Sequence, residues 1–357
     1  MRHFFNVHYL LDPALIDNFC ENIVKDQDNQ IEIYLCGEHE NYFFSKIGLI
    51  EQIFKNKQLD INVVIKIQRS KIIVITGISK FNSSSSTSSD KYPNVIFHHW
   101  DTYWLTKTYY YIKDYVESEY TKHYICMNGR ARNHRARLLD NLYHNDIFKY
   151  GNLTWNNGHA TVNQPYEFKY WNPIPLRLDI SEDMISKTNN NVMRLLEGGT
   201  PSRSPMMYNL PLEYHSSFMQ IVTETRTDLH YITEKTSIPL ILKKPFLALS
   251  SKSYHNNLTK YGFQLYDEIF DYSFDECDDI DDRVNGIIKN VQNISRHNLT
   301  DCKLIYEKIS DKLSHNRELA IKLAKDKTIV PSICMENKKN MPWNLECYKV
   351  LTEADYE

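Results

Sequence analysis

Four arginines crowd the segment Tyr124–Tyr143, YICMNGRARNHRARLLDNLY, at positions 130, 132, 135 and 137, and no acidic residue interrupts 124–139. The pattern predicts a strand ending at Met127, a turn at Asn128-Gly129 and a helix over 132–143. On that helix Arg132 and Arg135 share a side with Leu138, Leu139 and Leu142. The leucines must pack on a sheet, so the two arginines reach from the first turn toward the strand ends. A cation is disfavoured at a helix N-terminus unless an anion is held there. Guanidinium groups grip phosphate oxygens in pairs, which suits a diphosphate. The alternative is a solvated basic turn with surface ion pairs.

A second group lies in Phe218–Ser251, FMQIVTETRTDLHYITEKTSIPLILKKPFLALSS. Thr233 is placed to cap a helix whose first turn holds Glu234 and Lys235. A carboxylate there sits well against the positive helix end and can accept two hydrogen bonds from the vicinal hydroxyls of a ribose. Lys235 beside it can neutralise a phosphate. Pro239 must lie near the helix start or kink it. By spacing alone, Thr-Glu-Lys-Thr is equally an ordinary cap and first turn.

The acidic run Asp275–Asp282, DECDDIDD, contains the Asp279-x-Asp281 spacing of divalent-ion sites. It follows an aromatic turn rather than a strand and leads into a helix near Arg283, so capping is the expected role. No metal site is expected.

The elements needed to position these groups alternate along the chain, the signature of parallel sheets covered by helices. Strands are expected at 31–36, 61–67, 71–76, 94–98, 124–127, 218–223 and 246–249. Helices are expected at 103–115, 132–143, 234–242 and 252–261, and from 282 to about 325. The serine tract FNSSSSTSSD at 81–90 reads as a loop, and 340–357 as a short terminal helix. The fold class that follows is α/β, with two facing Rossmann-like domains and C-terminal helices. Its expected parts are an α/β domain over 1–120, a Rossmann-like domain over 121–295, and helices over 296–357. Ligands of such sheets bind outside the carboxyl ends of the strands.

Composition narrows the classes. The 357 residues are 42% hydrophobic and 24% charged, the balance of a globular protein, with a net charge of −3 that advertises no polyanion partner. Aromatic residues reach 13%, led by 25 Tyr, as open polar clefts and AT-rich coding both produce. The seven Cys are scattered without a C-x-x-C pair, which fits a reducing compartment rather than a disulfide or zinc framework. No apolar run approaches the ~20 residues that span a bilayer, and the N-terminus lacks a signal-peptide core. A cytoplasmic location without a membrane partner is expected. No G-x-G-x-x-G occurs, which weakens a nicotinamide-dependent reading.

Ile232-Thr233-Glu234-Lys235-Thr236, followed by Pro239-Leu240 and Lys244-Pro245-Phe246, resembles the donor-site segment of fucosyltransferase-like enzymes. It is closer to a group of glycosyltransferase-like proteins of phages and large viruses. Val222-Thr223-Glu224-Thr225 before it, and Tyr261-Gly262-Phe263 with Asp267-Glu268-Ile269-Phe270-Asp271 after it, fit the same pattern. So does the N-x-R-x-x-R-like stretch from Asn128 to Arg135. The likeness covers about 121–290 and does not extend to residues 1–120. It implies the glycosyltransferase-B architecture and a nucleotide diphosphate-sugar donor, with no further cofactor. Carried over, Glu234 holds the ribose, and Lys235 with Arg135 or Arg130 steadies the diphosphate. Asn128, Thr233 and Thr236 complete the donor site. Transfer is expected to be metal-independent and inverting, to a glycan, protein or modified-DNA acceptor. The candidate bases are Asp101, after VIFHHW, and Glu38; His98 and His99 are expected to be structural. Two rivals stand beside this: a transferase acting on a hydroxymethylated DNA base, and a non-catalytic nucleotide-binding or virion-associated protein of the same fold.

Overall fold

The computed structural model describes residues 2–6, 21–22, 25, 32–37, 71–76, 95–99, 102–112, 118–128, 132–155, 166–170, 210–230 and 232–326. The chain divides into two compact units, Met1–Lys107 with Lys325–Glu357, and Thr108–Ala324. The expected strand at 61–67, the serine loop at 81–90 and the terminal helix at 340–357 lie outside the described residues.

Short runs rich in Ile, Val, Leu and Phe favour parallel strands. In the first unit they form β1 (Arg2–Asn6), β2 (Glu32–Gly37), β3 (Lys71–Thr76) and β4 (Val95–His99). All neighbours are parallel, in the order β1-β2-β3-β4. Each described strand lies beside its described predecessor, so winding runs one way among them. Among the described strands this sheet is parallel and shows no reversal of the kind that opens a ligand crevice between neighbouring strands, so the one Rossmann-like sheet seen is that of the second unit. Helix α1 (Tyr103–Tyr111) follows it.

The second unit holds β5 (Lys122–Cys126), β6 (Gly151–Leu153), β7 (Ser217–Thr223) and β8 (Phe246–Leu249). They are parallel in the order β6-β5-β7-β8. Every residue of β7, inside the sheet, and of β8, at the end of the described order, is buried. Helix α2 (Asn133–His144) connects β5 to β6, and the short α3 (Leu212–His215) precedes β7. Helix α4 (Glu234–Ile241) links β7 to β8, and α5 (Tyr254–Lys260) follows β8. After α5 the backbone turns at Gly262, whose φ of +96° favours glycine.

Three helices close the unit: α6 (Ile280–Ser295), α7 (Leu299–Lys308) and α8 (Ser310–Lys325). Val284, Ile287, Ile288, Val291 and Ile294 form one buried stripe on α6, which packs against α2, β5 and β8. Each such side chain contributes about 1.5–3 kcal/mol of burial. Helix α7 lies against β5 and β7, so the helices beyond 295 belong to this unit through residue 324. Among the described residues no helix is long and apolar enough to cross a membrane.

Winding runs from β5 outward to β6, then crosses back to β7 and on to β8. The reversal puts the switch point between β5 and β7, where ligands of open α/β sheets bind. Asn128 and Glu224 lie just beyond those two strand ends, and the arginine-rich start of α2 follows at once.

Candidate functional site at the strand ends of the second unit

Side chains tie the three strand ends together. Thr223 Oγ1 donates to Asn128 Oδ1 at 2.7 Å, and the Asn128 amide donates to Thr154 Oγ1, just past β6, at 2.7 Å. Asn128 Nδ2 points back to Cys126 Sγ at 3.3 Å. Burial pushes that thiol up to about 12, so it stays protonated and inert. Asn128 is itself buried, which makes it a tie between strands first.

The start of α2 carries no acidic residue, and Arg132 occupies the cap position without a side-chain cap bond. His134 Nε2 lies 2.9 Å from the Glu224 carbonyl. Burial, then the Arg135 charge, lowers His134 to about 3, so the ring is neutral at pH 7. Facing a carbonyl, Nε2 must carry the hydrogen. Arg135 donates from one terminal nitrogen to the Thr223 carbonyl at 3.0 Å. Only 2% of it is exposed, and burial and then Arg132 pull it down to about 10, which leaves it charged at pH 7. Arg135 is thus buried and bonded to the end of β7. Arg132 is partly exposed, close enough for its charge to act on Arg135, and lowered by burial and by the Arg226 charge.

The turn into α4 is organised by Glu224, whose carboxylate is buried. It accepts from Thr233 Oγ1 at 2.6 Å, Thr236 Oγ1 at 2.6 Å and Tyr254 OH at 3.1 Å, and from the Thr233 amide at 3.3 Å. Thr233 Oγ1 in turn accepts from the Lys235 amide at 3.2 Å, capping α4. One hydroxyl thereby joins the buried carboxylate to the helix start. Thr236 is wholly buried and serves Glu224 and Tyr254.

This network delivers Glu234 and Lys235 to the first turn, where they form an ion pair. Lys235 Nζ also reaches Thr225 Oγ1 at 3.3 Å. Burial pushes the Glu234 carboxyl up, but the Lys235 charge and hydrogen bond, with the Arg135 charge, more than offset it and hold it below its ordinary value. Glu234 is buried, with 10% of its side chain exposed, while the Lys235 side chain reaches 21%. The charges of Arg132, Arg135 and Lys235 all act on His134, which places them in one neighbourhood. A crevice with this cationic surround, a helix N-terminus and an ionised carboxylate can hold a phosphorylated group beside a diol.

Of the residues singled out from sequence, Asn128, Arg135, Thr233, Glu234, Lys235 and Thr236 converge here. Arg130, Asp101 and Glu38 lie outside the described residues. Glu224 and Tyr254 were missed as organisers. The signal for Glu224 was a carboxylate directly after an unbroken hydrophobic strand, where it needs several donors. Tyr254 left no local signal, because it meets Glu224 across thirty residues of chain.

The acidic run has other tasks. Asp279 Oδ1 accepts from the Asp281 amide at 2.7 Å and caps α6, as expected. Asp275 Oδ1 takes His255 Nδ1 at 2.8 Å, while His255 Nε2 accepts from the Ala248 amide at 3.0 Å. Both ring nitrogens are therefore engaged and the pair is structural. Among the described residues no group of three or more His, Cys, Asp or Glu is arranged to hold a metal.

Two clefts lie elsewhere in the unit. One, of about 940 Å³, is lined by residues including Phe263, Asp267, Phe270 and Lys312. The other, of about 500 Å³, lies along Asn133, Arg137 and Asn141 of α2. Neither includes Glu234 or Lys235, so the strand-end site is identified by topology and polar geometry rather than by enclosed volume. Comparison with family models, curated proteins and solved structures finds no match to this chain.

Proposed function

We propose that the chain is a glycosyltransferase that moves a sugar from a nucleotide diphosphate-sugar to an acceptor hydroxyl, with the donor held at the β5–β7 switch point. The observation that carries this reading is the Glu234–Lys235 pair at the start of α4, fixed by Glu224 beside Arg132 and Arg135. In it Glu234 accepts from the ribose hydroxyls. Lys235 and Arg132 meet the diphosphate, and the buried Arg135 adds its charge from beneath. Cations fixed where the leaving diphosphate gains charge would supply the electrostatic part of catalysis without a metal. The glycosyltransferase-B architecture belongs to the same proposal, with the second unit as its donor domain.

The test uses the full chain with a panel of uridine, guanosine and cytidine diphosphate-sugars. The expected result is slow release of nucleoside diphosphate from one donor. Glu234→Ala and Lys235→Ala should each weaken nucleotide binding at least about tenfold, the effect of one charged hydrogen bond, with unchanged circular dichroism. Parental nucleotide affinity in both variants would refute the site. Nucleotide binding without release from any donor would favour the non-catalytic reading. That reading draws on the engagement of Arg135 by main-chain carbonyls.

A further inference from the structure

We propose that the cleft on the outer face of α2 is a separate binding site for a neutral saccharide. Its volume of about 500 Å³ falls within the ~300–1,000 Å³ of small-ligand sites. Asn133, Arg137 and Asn141 form one stripe along α2, on the side away from Leu138 and Leu142. Tyr166 and Tyr170 wall the cleft from a neighbouring segment, and Asp281 from the first turn of α6.

The wall is built rather than incidental. Asp140, fully buried, accepts from Tyr166 OH at 2.9 Å, from the Lys169 amide at 3.0 Å and from the Tyr170 amide at 2.8 Å. One carboxylate thereby pins the whole segment to α2. Arg137 is held three ways: Nε donates to Asn133 Oδ1 at 2.6 Å, Nη1 to Asp281 Oδ1 at 2.6 Å, and the guanidinium lies 5.6 Å from the Tyr166 ring centre. The Tyr170 ring is backed by His144, with ring centres 3.9 Å apart, and the residue is 52% exposed. An aromatic face is thus presented to solvent in a fixed orientation, beside amide, carboxylate and guanidinium groups already in place. Preorganisation of this kind lowers the ordering cost of binding.

Charge selects the ligand class. The lining carries Arg137 and Lys169 against Glu167 and Asp281, two cations and two anions, with Arg137 and Asp281 already paired. A phosphate or sulfate finds no excess of positive charge here. A sugar ring offers apolar C–H faces to an aromatic ring and an edge of hydroxyls to planar polar groups, which is the complement of this surface. The inference does not rest on the diphosphate reading of the strand-end site.

Saturation-transfer NMR of the full chain with maltose, lactose and chitobiose, and with sialyllactose as the anionic probe, tests it. The expected result is binding of at least one neutral disaccharide, weakened about tenfold in Tyr170→Phe-insensitive fashion by Tyr170→Ala, because the stacked ring rather than its hydroxyl makes the contact. Asn141→Ala should weaken it as well. Absence of binding to all three neutral probes, parental affinity in Tyr170→Ala, or preference for sialyllactose would each overturn the proposal. Glu234→Ala separates the two sites: it should lose nucleotide and keep saccharide, whereas Tyr170→Ala should do the reverse.

Discussion

Replacing Glu224 by Ala tests whether one buried carboxylate sets the geometry of the strand-end site. Three buried hydroxyls, on Thr233, Thr236 and Tyr254, point their bonds at it. Thr236 and Tyr254 lie 2.8 Å apart and can satisfy one hydrogen between them after the change, so two hydroxyls and the Thr233 amide are left without that acceptor. Each orphaned group costs about 1–3 kcal/mol, and the space left by the side chain adds to the loss. The expected destabilisation is about 3–5 kcal/mol, a large part of the ~5–15 kcal/mol by which domains are stable. Glu224→Gln keeps the volume but turns one acceptor oxygen into a donor, with an expected loss of about 1–2 kcal/mol. Urea unfolding followed by circular dichroism gives both values. Amide exchange at Thr233 and Lys235 should quicken in both variants, since their hydrogen bonds end on Glu224 or on the hydroxyl that it orients. A loss below about 1 kcal/mol in Glu224→Ala would refute the reasoning, because no rearrangement of these groups supplies the missing acceptors.

Lys244 is buried beside the Tyr214 ring and the Ser217 carbonyl, and burial lowers it from 10.5 to about 7. The unfolded chain binds this proton more tightly, so the penalty is fully present below pH 7 and disappears as pH rises toward 10.5. Lys244→Met should therefore stabilise the protein by about 2–3 kcal/mol at pH 6, after allowance for the Ser217 carbonyl that loses its donor. A thermal-melting gain at pH 6 that is no larger than at pH 10 would contradict this. Asp279→Ala should cost about 1 kcal/mol through the lost α6 cap, with no response to magnesium or manganese. A cation-dependent melting shift that the substitution abolishes would instead assign Asp279 and Asp281 to a metal.

Much of the second unit was legible because local patterns and tertiary demands agree. The hydrophobic runs at 218–223 and 246–249 could only be buried strands, and α6 carries its stripe at helical spacing. Thr233 announced its helix by cap chemistry, and Asp279 did the same. Strand β6 was not legible: three residues, Gly151-Asn152-Leu153, carry no periodicity, and only pairing with β5 makes them a strand. The order of the sheets was equally hidden. Alternation along the chain is the same for a sheet that winds one way and for one that reverses, so only tertiary pairing separates β1-β2-β3-β4 from β6-β5-β7-β8.

By itself, the sequence determined which groups carry charge and which segments must be buried: the arginines before α2, the Glu-Lys start of α4, and the strands that end beside them. Tertiary structure alone decided what those charges do. It buried Arg135 against main-chain carbonyls, left Lys235 partly exposed, and gathered Thr233, Thr236 and Tyr254 around Glu224. The physical reason is that a side chain's type sets the bonds it can make, whereas its partners are set by strand order and helix packing, which join residues far apart in the chain.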